Sequence, residues 1–191
     1  TSSNAGAVAV TGPVTLEGDV TIDADAAATT VTFNSTATVN SDSESGGRAF
    51  EVNTAGGDLK MQGVLGGSTA LKTLKLNSAT TGAAELEVQN IGSSTVGVIG
   101  ATTIGNSNTA KITLDGTVYK TTGAQTYTSA SGDKILAGAA SAPLTFTTTD
   151  SNVGFVGGDV VLAAEGDLTI NTGSGAGDIS FAGDIHGTAS T

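Results

Sequence analysis

Hydrophobic and polar residues alternate along this chain in many short runs, most of them three residues long. Five runs open with a Gly-Asp pair and continue with two apolar residues that flank a third residue, at residues 18–22, 57–61, 158–162, 166–170 and 177–181. A period of two places the flanking side chains on one face, which predicts short β-strands. We expect the glycine to give each corner its backbone freedom and the aspartate to hydrogen-bond the backbone two residues on.

Further runs lack the Gly-Asp opening and usually end on a polar residue, at residues 31–34, 50–53, 74–77, 86–89, 112–115 and 144–147. Asparagine tolerates left-handed backbone geometry, so the asparagines that end strands are predicted corners: Asn34, Asn53 and Asn77 in these runs, and Asn171 after the run at residues 166–170. Residues 24–28 are too short for an isolated helix, and residues 41–47 are predicted to form a polar, mobile loop. No segment keeps a helical period, so the predicted fold is nearly all β.

A longer repeat overlies the short one. Residues 57–67 align with residues 177–187, 120 positions later, and residues 50–54 align with residues 168–172, 118 positions later. Such self-similarity is typical of repeat architectures. We therefore interpret residues 1–191 as a single β-solenoid domain in which residues 49–67 and 167–187 are related repeats.

Two all-β architectures fit the short strands. An antiparallel β-sandwich needs hairpin turns such as Asn-Gly or Asp-Gly, but only Asp115-Gly116 has that order, whereas Gly-Asp occurs at seven positions. A parallel β-helix instead stacks rungs of short strands joined by tight corners. At about 20 residues per rung, the chain would form about nine or ten rungs. We predict the parallel β-helix and keep the antiparallel β-sandwich as the alternative.

Composition and charge narrow the choice of partners. Hydrophobic residues make up 38% of the chain, with no Trp, two Tyr and five Phe, which predicts a thin core. The net charge of −11 argues against nucleic acid, because phosphate binding needs a basic face. The chain has no cysteine, which excludes disulfides and thiolate sites. No stretch approaches the ~18–20 apolar residues of a transmembrane helix, so we expect no membrane insertion.

Few residues are candidates for chemistry. The single histidine, His186, lies beside Asp184 in a glycine-rich corner and is interpreted as an exposed corner residue. Two acidic pairs, Asp23 with Asp25 and Asp42 with Glu44, are weak calcium candidates, although no calcium-loop consensus surrounds them. Solvated turn carboxylates are the favoured interpretation of both pairs. We therefore predict no catalytic residues and no cofactor, with calcium as the one metal considered.

Three segments carry a resemblance to a known family: residues 71–77, residues 121–127 and residues 177–187. They resemble the repeats of filamentous-haemagglutinin-like and related β-strand-repeat adhesins of bacteria, and the similarity extends over most of residues 50–187. The resemblance implies a right-handed parallel β-helix on the bacterial cell surface or outside the cell. It also implies a stalk, an adhesin or a biofilm matrix fibre, with host or matrix glycans as partners, and it brings no catalytic residues.

These observations favour a structural or adhesive extracellular protein that is not an enzyme. The terminal rungs of a solenoid expose backbone groups and core, so we expect homo-polymers that form through stacked terminal rungs. One alternative is a passive stalk segment of a giant secreted adhesin. The other is a β-helical polysaccharide-active enzyme, which would need a groove that combines clustered carboxylates with basic or aromatic side chains.

Overall fold

The computed structural model describes residues 7–24, 29–42, 45–79, 81–131, 134–137, 143–163 and 167–187. These residues form short β-strands and no helix, and so no helix that could cross a membrane. The strands are β1 (Val8–Val10), β2 (Val14–Leu16), β3 (Val20–Ala24), β4 (Val31–Phe33), β5 (Val39–Ser41), β6 (Phe50–Thr54), β7 (Leu59–Met61), β8 (Leu74–Leu76), β9 (Ala84–Val88), β10 (Thr102–Gly105), β11 (Thr109–Leu114), β12 (Val118–Lys120), β13 (Gln125–Thr128), β14 (Lys134–Ala137), β15 (Leu144–Thr147), β16 (Val153–Val156), β17 (Asp159–Leu162), β18 (Leu168–Asn171), β19 (Ile179–Phe181) and β20 (Ile185–Gly187).

The described strands pair only in parallel, and they stack on three faces of one coil. Face A is an eight-stranded sheet in the order β1-β4-β7-β9-β11-β14-β17-β20. Face C is a seven-stranded sheet in the order β3-β6-β8-β10-β13-β16-β19. Face B contains the pair β2-β5 and the sheet β12-β15-β18, which are connected by isolated parallel bridges through Leu65 and Ile91. The parallel β-solenoid is therefore confirmed, and the antiparallel β-sandwich is wrong.

The described chain forms fewer rungs than the predicted nine or ten. Val8 of β1 pairs with Val31, 23 residues later, and Val20 of β3 pairs with Phe50, 30 residues later. Each turn thus uses more than the expected ~20 residues, because the segments that connect the strands add to its length, as residues 42–49 do between β5 and β6. The sheets accordingly hold eight and seven strands.

Alternating burial along each strand builds the core. In β6, Phe50, Val52 and Thr54 are buried, while the two residues between them are partly exposed. Leucine, isoleucine and valine fill most of the interior. The few aromatic rings stack from turn to turn in the C-terminal half, with ring centroids 4.9 Å apart for Tyr119–Phe146 and 5.3 Å apart for Tyr127–Phe155. Parallel pairing in register causes this stacking, because equivalent side chains lie directly above one another.

A buried polar network accompanies the aromatic rings. The Tyr127 hydroxyl donates to Gln125 Oε1 at 2.9 Å, and Gln125 Nε2 donates to the carbonyl oxygens of Tyr119 and Thr147, both at 3.0 Å. The Tyr119 hydroxyl donates to the Val88 carbonyl oxygen at 2.8 Å. Burial raises the pKa of both phenols well above the ordinary tyrosine value. The network thus ties three successive turns together through neutral side chains.

The glycine of a Gly-Asp pair can allow two successive turns to pack closely, as at Gly57. A Cβ atom on Gly57 would lie 2.0 Å from the Thr29 carbonyl oxygen in the preceding turn, whereas a Cβ on Gly18, in the first turn, would meet nothing within 4 Å. Gly57 is also not among the residues with a positive φ. Close approach of two turns, and not backbone freedom, therefore accounts for the glycine at Gly57. Gly166 lies outside the described residues.

The aspartates of the same pairs bond to the next turn. Asp19 Oδ1 accepts from the Ala49 amide at 2.9 Å, Asp58 Oδ1 from the Glu85 amide at 3.1 Å, and Asp159 Oδ1 from the Asp184 amide at 3.0 Å. Asparagines make similar contacts, in which Asn90 accepts from Thr117 and Val118, Asn40 from Ser68 and Thr69, and Asn152 from Asp178. The predicted bond to the backbone two residues on is therefore wrong for these aspartates.

The predicted left-handed corners are confirmed at one position. Asn77 is buried with φ 49°, and its Oδ1 accepts from the Thr54 amide at 2.8 Å. The other described residue with a positive φ that is not glycine is Asp150, at φ 52°. Asn34 lies in the corner after β4 but without a positive φ, and the corner prediction is wrong for Asn53 and Asn171, which lie within β6 and β18. Their side chains accept backbone N–H groups instead.

The two related repeats occupy different faces of the coil. Residues 50–54 form β6 on face C, whereas their counterparts in residues 168–172 contain β18 on face B. Likewise β7 lies on face A and its counterpart β19 lies on face C. The similarity therefore relates single strand-and-corner units and not equivalent complete turns. Two predicted segments are only partly described. Residues 25–28 of the short segment 24–28, and residues 43–44 of the polar loop 41–47, lie outside the described residues.

Candidate functional site

The first predicted calcium pair contains Asp23, on the outer side of β3. Asp23 Oδ1 accepts a hydrogen bond from Asn53 Nδ2 at 3.2 Å, and Asn53 is its partner in the neighbouring strand β6. Asp25 lies outside the described residues. At this position the structure shows one carboxylate that is bonded across the sheet to a neutral amide.

The second pair contains Asp42, which forms a two-point ion pair with Arg48. Arg48 Nε donates to Asp42 Oδ1 at 3.1 Å, and Arg48 Nη2 donates to Asp42 Oδ2 at 2.8 Å. Glu44 lies outside the described residues. Within the described part of the chain, no group of three or more His, Cys, Asp or Glu side chains could hold a metal ion. Weak calcium binding at Asp23, Asp25, Asp42 and Glu44 thus stays a prediction.

His186 lies in strand β20 and not in a corner. Its side chain is exposed as predicted, and its Nε2 is 3.8 Å from Asp159 Oδ2 in the preceding strand of face A, β17. Asp184, its neighbour in the sequence, instead donates its backbone N–H to Asp159 Oδ1. His186 and Asp159 therefore form a solvent-exposed contact between adjacent strands, a position at which an ion pair contributes little stability.

A charged groove runs over the middle of face A. Its volume is about 260 Å³, and its charged lining residues are Asp58, Lys60, Glu85, Glu87, Lys111 and Asp115. Lys111 Nζ lies 2.6 Å from Glu85 Oε2, and Gln62 Nε2 donates to Glu87 Oε1 at 3.0 Å. Lys60 and Glu87 are register partners in β7 and β9. Opposite charges on adjacent strands therefore attract along this outer surface.

Asp115 is a partly buried carboxylate in the lining of the groove. Partial burial and the nearby Glu87 carboxylate raise the pKa of Asp115 above the usual aspartate value. Asp115 directly follows β11, and Glu87 lies on the adjacent strand β9. The sequence analysis missed this groove because its charged residues are far apart in the chain and meet only through the parallel register.

The last turn exposes its core-facing side chains. Ile185 of β20 is 47% exposed, whereas its register partner Val160, one turn earlier, is 1% exposed. Ile179 of β19 is 46% exposed, whereas its partner Val153 is buried. Within the described residues, the isoleucines of this turn have a neighbouring turn on one side, formed by β16 and β17.

The first turn is open in the same way. Its strands β1, β2 and β3 each pair with one described neighbour, namely β4, β5 and β6. Five apolar side chains of this turn are only partly buried against the core: Val8, Val10, Val14, Val20 and Ile22. Both ends of the described coil therefore present apolar side chains together with a strand edge, which is a template for further strand pairing.

The fold and these surfaces define the chain as a parallel β-solenoid repeat protein, the class in which each turn is stabilised by the turns on either side. Comparison with protein-family models, curated proteins and solved structures finds no match to this chain. The resemblance to filamentous-haemagglutinin-like repeats therefore stays a prediction.

Proposed function

We propose that this chain is a structural unit of an extracellular filament, in which solenoids stack end to end on a bacterial surface or in a biofilm matrix. The observation that carries the proposal is the open last turn, where Ile179 and Ile185 are about half exposed although equivalent positions one turn earlier are buried. A second solenoid on this turn would remove those side chains from water. Full burial of an isoleucine contributes about 1.5–3 kcal/mol relative to full exposure.

In the proposed filament, the last turn of one copy contacts the first turn of the next copy. The surface formed by β18, β19 and β20 would pair with the surface formed by β1, β2 and β3 of another copy. A head-to-tail contact of this kind does not close on itself unless the rotation forms a ring, so it produces an open filament. Parallel strands would continue from one copy to the next along the same axis.

The extracellular location and the adhesive role derive from the resemblance to β-strand-repeat adhesins. The proposal assigns the chain no enzymatic activity and no cofactor. Host or matrix glycans are the proposed ligands for adhesion. The charged groove on face A offers carboxylates and ammonium groups that can hydrogen-bond sugar hydroxyls.

Sedimentation velocity and negative-stain electron microscopy of the 191-residue chain test the proposal. We expect filaments of uniform width that lengthen with protein concentration, at one or more ionic strengths between about 10 mM and 0.5 M. A passive stalk segment would instead give short rods of constant length at every concentration. Monomers alone, across all concentrations and ionic strengths, would contradict end-to-end assembly.

A further inference from the structure

Charge is distributed unevenly along the chain. All seven basic residues lie between Arg48 and Lys134, a stretch that also holds six acidic residues. Residues 1–47 carry six acidic residues and no lysine or arginine, and residues 135–191 likewise carry six acidic residues and no lysine or arginine. The middle of the chain is therefore almost neutral, whereas both terminal segments are strongly acidic.

The solenoid converts this distribution along the sequence into acidic ends. In the first turn the exposed carboxylates are those of Glu17, Asp19 and Asp23. In the last turn they are those of Asp167, Asp178 and Asp184. The described residues of these two end turns include no lysine or arginine that could offset the six carboxylates.

End-to-end stacking would bring the two acidic turns together. Like charges across an interface oppose association, and the opposition weakens as salt shortens the screening length. This length is about 30 Å at 0.01 M ionic strength and about 8 Å at 0.15 M. Strands of successive turns lie only about 4.8 Å apart, so the carboxylates of two stacked copies would be well within the longer screening length.

We propose that a second copy of this chain docks on the acidic last turn only when cations in solution screen the repulsion, so that salt controls filament growth. The inference rests on the proposed end-to-end assembly. Apolar side chains and strand edges provide the attraction, and the carboxylates set the ionic strength at which that attraction prevails. The expected behaviour is monomer at about 10 mM ionic strength and filament above about 0.15 M.

A pair of matched variants tests whether the position of the charge matters. Asp178→Asn with Asp184→Asn removes two negative charges from the last turn, and asparagine keeps the shape and a carbonyl acceptor. Glu85→Gln with Glu87→Gln removes the same charge from the middle of the coil. Sedimentation velocity across a sodium chloride series measures the assembly of each variant, and far-ultraviolet circular dichroism confirms that each is folded.

We expect the end variant to associate about tenfold more tightly than the parent at 10 mM salt, and the middle variant to behave like the parent. Equal shifts for both variants would overturn the inference, because net charge alone would then be responsible. Filaments of the parent that form equally at low and high salt would overturn it as well. Monomers under every condition, for the parent and the end variant, would instead refute end-to-end assembly itself.

Discussion

At the residue scale, the requirement for glycine at Gly57 comes from the turn that packs against it. The carbonyl oxygen of Thr29, in the preceding turn, occupies the space that a side chain on Gly57 would need. Gly18 also begins a Gly-Asp pair, but it lies in the first turn, where that space is empty. The same Gly-Asp pair therefore tolerates a side chain on the glycine in one turn and not in the other, because the neighbouring turn differs.

Substitution of these two glycines by alanine should have unequal effects. Gly57→Ala should destabilise the fold by about 1–3 kcal/mol, because the new methyl group must displace backbone. Gly18→Ala should be neutral or stabilise by up to about 1 kcal/mol, since it restricts only the unfolded chain. Urea denaturation followed by circular dichroism measures both values. Equal losses for the two variants would contradict the close-approach explanation.

At the element scale, the aromatic and polar network joins β12, β13 and β15 in the C-terminal half. Tyr119 stacks on Phe146, Tyr127 stacks on Phe155, and Gln125 connects the two columns through hydrogen bonds. Both tyrosine side chains are fully buried. The sequence contains only these two tyrosines, so the phenol signal of the whole protein reports on this network.

Alkaline pH should therefore lower the free energy of unfolding through these two tyrosines. Below pH ~10 the phenols are neutral in both states and do not affect the pH dependence. Above pH ~10 only the unfolded chain releases these protons, because burial raises the pKa of both phenols in the folded state. The free energy of unfolding should then fall by about 1.4 kcal/mol per tyrosine for each further pH unit.

Urea denaturation at several pH values measures this slope, and a tyrosinate absorbance titration shows when the phenols ionise. The absorbance should remain flat until the circular dichroism changes, and both should then change together. Tyr127→Phe should remove about half of the tyrosine contribution to the slope. A gradual rise of absorbance in the folded protein would show that the phenols are accessible to solvent.

At the scale of the whole molecule, the ends differ from the middle in two respects. They expose apolar side chains that face the core, and their charged side chains are acidic. The first feature favours stacking and the second opposes it at low salt. Together they lead to the prediction that the proposed end-to-end association increases with ionic strength.

Substitution of Ile185 should separate assembly from folding. Ile185→Asn would place an amide in the proposed interface, and an unsatisfied buried polar group costs about 1–3 kcal/mol, which should weaken association about 5- to 150-fold. The free energy of unfolding of the isolated solenoid should change little, since Ile185 is already 47% exposed. Sedimentation velocity measures the association, and urea denaturation measures the stability.

Val156→Asn is the matched control. Val156 is 41% exposed and alternates with the buried Phe155, so it faces outward from β16 on face C and away from the proposed interface. This variant should assemble like the parent. If both variants lost assembly equally, the interface would not be at the last turn.

The alternation of apolar and polar residues, by itself, determined that the chain is all β, because a period of two has one structural solution that buries one side of each segment. The Gly-Asp order, together with the rarity of hairpin turns, favoured parallel stacking, and the strand pairing in the structure excluded the antiparallel alternative. These features are local, so the order of neighbouring residues encodes them directly. The exposed state of His186 was predictable for the same reason.

Only the tertiary structure decided which residues meet from turn to turn. Partners lie 23 to 30 residues apart because the loop lengths vary, and no local pattern sets that spacing. The partner of Asp58, the close packing at Gly57 and the charged groove on face A all depend on this register. The sequence specified what each strand buries, and the stacking of turns decided what each corner and each end contacts.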